Sequence, residues 1–287
     1  MRRHLLNGVP PPNGYDDLRR KRLFGLDFVD TPTVAVVART LLDFRPPTSS
    51  TMVLPVVITP NVDHMVILRA DDLDPVVADV VQRAAWLLPD GQPIVWTSRL
   101  VSRPLSARLP GSELVEQLWP AVCREGIATM VVAPNTETAD RVRLDHAGAI
   151  VVEAPRFQPH DAAALDDFAA TCIASMDDAG VRFVFVAVGF PLSAAFAGSL
   201  LRQWPSDRPV PVVLCIGASF EMFHGLKRRA PIWMQRLGLE WFFRFIQEPR
   251  RLFGRYLLRD PRFAAQVWRE WRTRNEIGAA EPEKGVP

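Results

Sequence analysis

An α/β fold, with a parallel sheet covered on both faces by helices, is predicted for this 287-residue chain from three observations. From Ile127 onward, short apolar runs alternate with segments of helical spacing, the rhythm of strand and crossover helix. Those runs are apolar at every position rather than every second one, which is how strands read when both faces are buried. Hydrophobic content of 48%, charged content of 23% and a net charge of +2 are values of a globular domain, and the length suits one large α/β domain with an appendage. No Gly-x-Gly-x-x-Gly follows any of the strands. The fold is therefore Rossmann-like only in the broad sense, without the dinucleotide fingerprint.

Taken in order, residues 1–22 carry Pro10-Pro11-Pro12-Asn13-Gly14 and Arg19-Arg20-Lys21-Arg22, a composition expected to stay a flexible leader. A short strand over Phe24–Asp30 and a helix over about Thr33 to Phe44 open the α/β domain, assigned residues 23–217. Val53–Thr59 reads as a buried strand that empties into Thr59-Pro60-Asn61. Helical spacing follows through Met65–Leu68. It resumes from Pro75, with Asp74 as cap and Pro75 in the first turn, and is expected to run to Trp86–Leu88 before Pro89-Asp90-Gly91 turns the chain. Further helices are expected around Val95–Leu100 and from Gly111 to Glu125. The strands then fall at Ile127–Ala133, Ala149–Glu153, Arg182–Val188 and Val210–Ile216. Between them lie helices at Thr136–His146, Asp161–Asp178 and Ser193–Gln203. Residues 218–259, basic and aromatic, are expected to form a C-terminal lid and membrane-facing helical appendage, and 260–287 a C-terminal helix and disordered tail.

The modest net charge speaks against a nucleic-acid binder, and no nucleic-acid module is recognisable. Charge is nevertheless concentrated: Lys227, Arg228, Arg229, Arg236, Arg244, Arg250, Arg251, Arg255 and Arg259 face only Glu240 and Glu248 over the same span. Aromatic residues share those turns, a mixture suited to a surface both apolar and anionic. Cys123, Cys172 and Cys215 are odd in number and widely spaced, which predicts buried thiols in a reducing compartment rather than disulfides or a zinc site. No apolar run approaches the roughly 20 residues that span a bilayer, and the N-terminus lacks the apolar core of a signal peptide. Together these predict a cytoplasmic protein that meets a membrane only from its surface. His64, His146, His160 and His224 show no metal-ligand spacing; His224, inside the Phe223-His224-Gly225 loop, is the one worth testing.

In a parallel α/β sheet, ligands sit where strands hand over to helix N-termini. Three loops fall there: Thr59-Pro60-Asn61, Gly189-Phe190-Pro191 and Gly217-Ala218-Ser219. Each reads either as a tight turn or as a source of N–H groups for an anion. Asp90 likewise has two readings, a turn aspartate bonding its own backbone or a carboxylate beside apolar walls able to take a substrate proton.

Thr59-Pro60-Asn61, Leu88-Pro89-Asp90-Gly91, Gly111-Ser112, Gly189–Pro191, Lys227–Pro231, Arg236–Trp241 and Gln247–Arg251 together resemble the signature of the WecG/TagA/CpsF glycosyltransferases, in order, over about residues 23–259. The resemblance implies an inverting, metal-independent enzyme without a cofactor. It would move a sugar, N-acetylmannosamine or a related hexose, from a UDP-sugar to a polyprenyl-diphosphate-linked acceptor. It would do so at the inner face of the cytoplasmic membrane, in bacterial surface-polysaccharide synthesis. Carried onto this chain, Asp90 is the implied base, and Thr59, Asn61 and Gly91 line its pocket. Gly189, Pro191, Gly217 and Glu221 complete the substrate site, and Arg244, Arg250, Arg251 and Arg255 meet the diphosphates. With no Asp-x-Asp motif, arginines and helix N-termini must neutralise the departing diphosphate.

Two departures stand out. The family usually reads Gly-x-Pro-Lys-Gln-Glu where this chain has Gly189-Phe190-Pro191-Leu192-Ser193-Ala194, and Gly-Gly-x-Phe-Asp where it has Gly217-Ala218-Ser219-Phe220-Glu221. They point to altered donor specificity, to an unaltered reaction in which other residues replace the lost groups, or to lost catalysis, as in a non-catalytic sugar-nucleotide-binding or scaffold subunit. Oligomeric state stays open, a homo-oligomer included.

Overall fold

The computed structural model describes residues 18–45, 53–157, 161–176, 179–227, 230–231, 234, 243 and 262–272. Arg20–Leu23 (β1) and Leu26–Val29 (β2) form an antiparallel hairpin. Its turn residues Phe24 and Gly25 both take positive φ, 57° and 79°, the handedness that two-residue hairpins need. One strand was expected over Phe24–Asp30, and the difference arises because phenylalanine rarely occupies such a turn. Here burial compensates: Phe24 is enclosed, its ring 5.7 Å from that of Phe263. The first strand also begins inside the segment expected as leader. Arg20 donates to Ala85 O at 2.9 Å, and Lys21 pairs with buried Asp30 at 2.9 Å, so these basic residues are fixed to the sheet.

Val34–Asp43 (α1) leads to Leu54–Ile58 (β3), then Val62–Ile67 (α2) and Pro75–Arg83 (α3). Asp74 caps α3 as expected, its Oδ1 accepting from Val76 N at 2.8 Å. The helix does not run on to Trp86. Ala84–Leu87 (β4) is a strand between β2 and β3. A short apolar run fits strand or buried helix equally by periodicity, and here the sheet decides, burying Trp86, Leu87 and Leu88.

Gln92–Leu100 (α4) and Gly111–Glu125 (α5) follow, then the expected alternation: Thr129–Ala133 (β5), Thr136–Asp145 (α6), Ile150–Glu153 (β6), Ala162–Ser175 (α7), Phe183–Val186 (β7), Leu192–Gln203 (α8), Val212–Cys215 (β8) and Ser219–Phe223 (α9). Residues 262–272 form a last helix (α10), whose Gln266 donates to Met65 O at 3.1 Å. The strand order is β1-β2-β4-β3-β8-β7-β5-β6, parallel apart from the β1–β2 pair.

Alternate strand residues feed two cores. Val56, Ile58, Val184, Val186 and Val213 pack under α3, α7 and α8, while Val57, Phe183, Phe185, Val212 and Leu214 pack under α1 and α5. Each such side chain, fully buried, contributes about 1.5–3 kcal/mol. On the second face Trp119 of α5 meets Phe185 and Phe220 edge-on, with centroids 5.5 Å and 4.9 Å away. On the first, α3 and α8 approach through Gly198, where a Cβ would stand 2.5 Å from Val76 Cγ1.

Candidate active site

The carboxyl ends of β4, β3, β8 and β7 lie side by side, so the loops leaving them share one rim of the sheet. Thr59, 5% exposed, ends β3. Asn61 starts α2, its Oδ1 accepting from His64 N at 3.2 Å. The loop after β4 is clamped to this one by backbone. Leu88 N–H donates to Ile58 O at 2.8 Å and Asp90 N–H to Pro60 O at 2.9 Å. A methyl at Gly91 would lie 3.9 Å from Asn61 Cα and Cβ, so these two loops are in van der Waals contact.

Asp90 reaches across to a third element. Its Oδ2 faces the N–H of Gly111, the first residue of α5, at 3.5 Å. Gly111 is closely approached: a Cβ would stand 3.1 Å from Ser219 Oγ and 3.2 Å from both Thr59 Cγ2 and Thr59 Oγ1. A side chain there would have to push a neighbour by a few tenths of an ångström, and the glycine gathers Thr59, Ser219 and the Asp90 carboxylate at the start of one long helix. The positive end of that helix's dipole lies beside the carboxylate. Ser219 is held in turn, its Oγ donating to Ile216 O at 2.5 Å. Arg108 precedes Leu109, whose N–H donates to Pro89 O at 2.8 Å; the guanidinium is 14% exposed and 3.4 Å from Glu113 Oε1.

Gly189 and Pro191 lie in the loop that leads from β7 to α8. The His64 ring stacks on Phe190 with centroids 4.4 Å apart, so α2 leans on this loop. Ser193 N–H donates to Gly189 O, and Ala194 and Ala195 N–H groups both to Pro191 O. These donors close the turn rather than face outward. Gly217 takes a φ of 54°, the left-handed conformation that admits glycine most readily, and turns β8 into α9. Glu221, buried in α9, is paired with Lys227 Nζ at 2.9 Å.

Two other polar features are structural. Burial pushes the Cys215 thiol up to about 12, and its Sγ donates to Ser193 O at 3.4 Å, so it packs rather than reacts. His224 Nε2 and Trp119 Nε1 both meet Asp145 Oδ2 at 2.9 Å, a brace joining α5, α6 and the end of α9.

The family model for glycosyl transferases of the WecG/TagA/CpsF family matches residues 22–277. The chain belongs to that family. It is a glycosyltransferase by that membership and by its relatives' names. An N-acetylglucosaminyldiphosphoundecaprenol N-acetyl-beta-D-mannosaminyltransferase of Bacillus spizizenii is 29% identical over 210 residues, covering 71% of this chain and 74% of the relative. The Bacillus subtilis protein of the same name is 29% identical over 209 residues, covering 72% and 77%. A Staphylococcus aureus protein so named is 23% identical over 175 residues, covering 61% and 66%.

In this glycosyltransferase the fold brings Thr59, Asn61, Asp90 and Gly91 into one cluster, with the loop of Gly217 joined to it through Ser219. Gly189, Pro191 and Glu221 stand on the adjoining loop and helix. Arg244, Arg250, Arg251 and Arg255 lie outside the described residues, as do most of the residues expected to form the lid. Sequence reasoning placed Ser219 in a candidate loop and Gly111 in the family signature without assigning either to the site, and it passed over Arg108. The signal available for Gly111 was a glycine directly after Pro110, opening an apolar helix.

Proposed function

We propose that this glycosyltransferase uses Asp90 to activate a hydroxyl of a polyprenyl-diphosphate-linked sugar, which attacks the anomeric carbon of a UDP-sugar. N-acetylmannosamine is the donor sugar that the relatives' names favour. The carrying observation is the convergence of Thr59, Asp90, Gly111 and Ser219 at one strand-end rim. A sugar hydroxyl is a poor nucleophile until its proton is accepted, and a carboxylate held by a rigid loop can accept it. The new C–O bond forms as the bond from the anomeric carbon to the diphosphate oxygen breaks, and the electron pair leaves with UDP. Attack opposite the leaving group inverts the carbon. The charge on UDP is met by the start of α5, by Arg108 and by the arginines of the C-terminal segment, without a metal. In this reading the reaction takes place at the inner face of the cytoplasmic membrane with the protein on its surface, to which a lipid-linked acceptor lends support. Among the described residues no helix is long and apolar enough to cross a membrane.

The test is UDP release from a panel of UDP-sugars with a polyprenyl-diphosphate-sugar acceptor. Asp90→Asn should lower kcat by roughly 10²–10⁴-fold while the fold is kept. Release that survives the substitution removes Asp90 from the role. No release from any donor favours the scaffold reading, to which the replaced Leu192-Ser193-Ala194 turn gives its support.

A further inference from the structure

Among the described residues, four of the six large exposed apolar side chains lie on two helices, while Val36 on α1 and Leu144 on α6 stand singly. Trp96 and Leu100 on α4 are 47% and 56% exposed, and Trp268 and Trp271 on α10 are 54% and 40% exposed. Single exposed apolar residues are ordinary, whereas a grouped set on one surface marks a contact. On α4 the buried positions are Ile94, Val95, Thr97 and Ser98, leaving Trp96, Arg99 and Leu100 at the spacing of one helical face. On α10 Phe263 and Gln266 turn inward, while Arg269 and Arg272 are exposed beside the two tryptophans. The Arg272 guanidinium lies over the Trp268 ring, 4.6 Å from its centroid. Arg103, just past α4, joins the helices: its Nη1 is 3.7 Å from Glu270 Oε1 and donates to Arg22 O of β1 at 3.1 Å.

We propose that this joint surface of α4 and α10 rests on an anionic lipid bilayer. Tryptophans that stand half out of a protein suit the boundary between headgroup and acyl chain, and arginines beside them suit anionic headgroups. The exposed cations on both helices are opposed by Glu270, which Arg103 already engages. Location adds to the chemistry. Gln92 opens α4 two residues after Asp90, and Trp96 lies about 6 Å of helical rise further on. A bilayer against this face would hold the proposed base next to the headgroups, where a lipid-linked hydroxyl is presented; in this respect the inference rests on the proposed reaction. Its new element is α4, which places part of the contact inside the α/β domain rather than in the C-terminal segment alone.

The experiment is co-sedimentation of the full chain with phosphatidylcholine vesicles and with vesicles also containing phosphatidylglycerol, with no donor or acceptor present. The unaltered chain should bind, more tightly to the anionic vesicles. Trp96→Ser with Leu100→Ser should weaken binding to both by about tenfold or more. Arg99→Glu with Arg272→Glu should weaken it on anionic vesicles alone. Thermal melts of both double variants, matching the unaltered chain, establish that the fold is kept. Undiminished binding by the Trp96/Leu100 variant overturns the inference, as does absence of vesicle binding by the unaltered chain. Because no sugar nucleotide is present, either result leaves the donor-panel outcome standing on its own.

Discussion

Gly111→Ala is the most direct probe of the site, because its effect follows from three distances. The new methyl would stand 3.1 Å from Ser219 Oγ and 3.2 Å from Thr59 Cγ2 and Oγ1, closer than carbon atoms ordinarily pack. Neither neighbour is loose: Thr59 is β-branched and buried, and Ser219 is tied to Ile216 O. Relief must come from a shift of the start of α5, which carries the N–H that faces Asp90 Oδ2 at 3.5 Å. Overpacking of this kind costs about 1–3 kcal/mol. For a domain of this size each kcal/mol lowers Tm by about 2–4 °C. Relief of these contacts needs a few tenths of an ångström, so kcat should fall by severalfold, short of the roughly 10²-fold that a misplacement of about 1 Å brings. Calorimetry and UDP-release kinetics measure the two effects separately. Adding Ser219→Ala removes the shortest contact and should recover part of the lost Tm. A Gly111→Ala protein with native Tm and native kcat would show that the helix start and the base are not coupled as argued.

Three further outcomes follow from the packing and from ionisable groups. Gly198→Ala puts a methyl 2.5 Å from Val76 Cγ1 and 2.9 Å from Val80 Cγ2, and should destabilise by about 1–3 kcal/mol in denaturant melts, with Val76→Ala restoring much of it. Asp30 is opposed by burial, which raises its pKa. The Lys21 ammonium and the Ser106 N–H outweigh this and hold the carboxyl below its ordinary value. Its stabilisation is therefore full above the unfolded carboxylate value of about 3.9 and is lost as pH falls through the lower folded value. Asp30→Asn should accordingly lower Tm at neutral pH, with the gap closing in acid titrations. Burial lifts the thiols of Cys172 and Cys215 to about 12 and, aided by the Asp145 charge, that of Cys123 to about 11. Iodoacetamide at pH near 8 should leave the native chain unlabelled and modify the cysteines only in denaturant, read by mass spectrometry.

Much of the fold was legible because the strands of the second half are buried on both faces and so announce themselves as unbroken apolar runs. Where a run followed a helix without a break, as at Arg83–Ala84, the same apolarity concealed the strand. The hairpin at Phe24-Gly25 was hidden by an aromatic residue in a turn, a choice explained only by Phe263, far along the chain. The site shows the same division. Thr59, Asn61, Asp90 and Gly91 were readable because Pro, Asn, Asp and Gly punctuate a chain where strands end. Ser219 meets Thr59 because β8 pairs with β3, and Gly111 because Leu109 is tied to the loop after β4; both are contacts between distant stretches that no local pattern encodes.

The replaced turn at the start of α8 shows how packing alters a comparison made by sequence alone. Where the family resemblance leads to the expectation of Lys, Gln and Glu, this chain has Leu192, Ser193 and Ala194, and a loss of three polar contacts to a donor would be the simple reading. In this fold, however, Ser193 is 2% exposed and Ala194 fully buried, while Leu192 is half-buried. Ser193 O also accepts from Cys215 Sγ, so the helix start is seated directly on the end of β8. Long polar side chains at 193 and 194 would require a different seating of the helix, and with it a different position for Gly189 and Pro191. We infer that the substitutions act on the rim's backbone as a unit rather than contact by contact. Any change in donor preference would then come from a shifted wall beside the Asp90 cluster, with the cluster's own clamps at Pro60, Pro89 and Gly111 left intact.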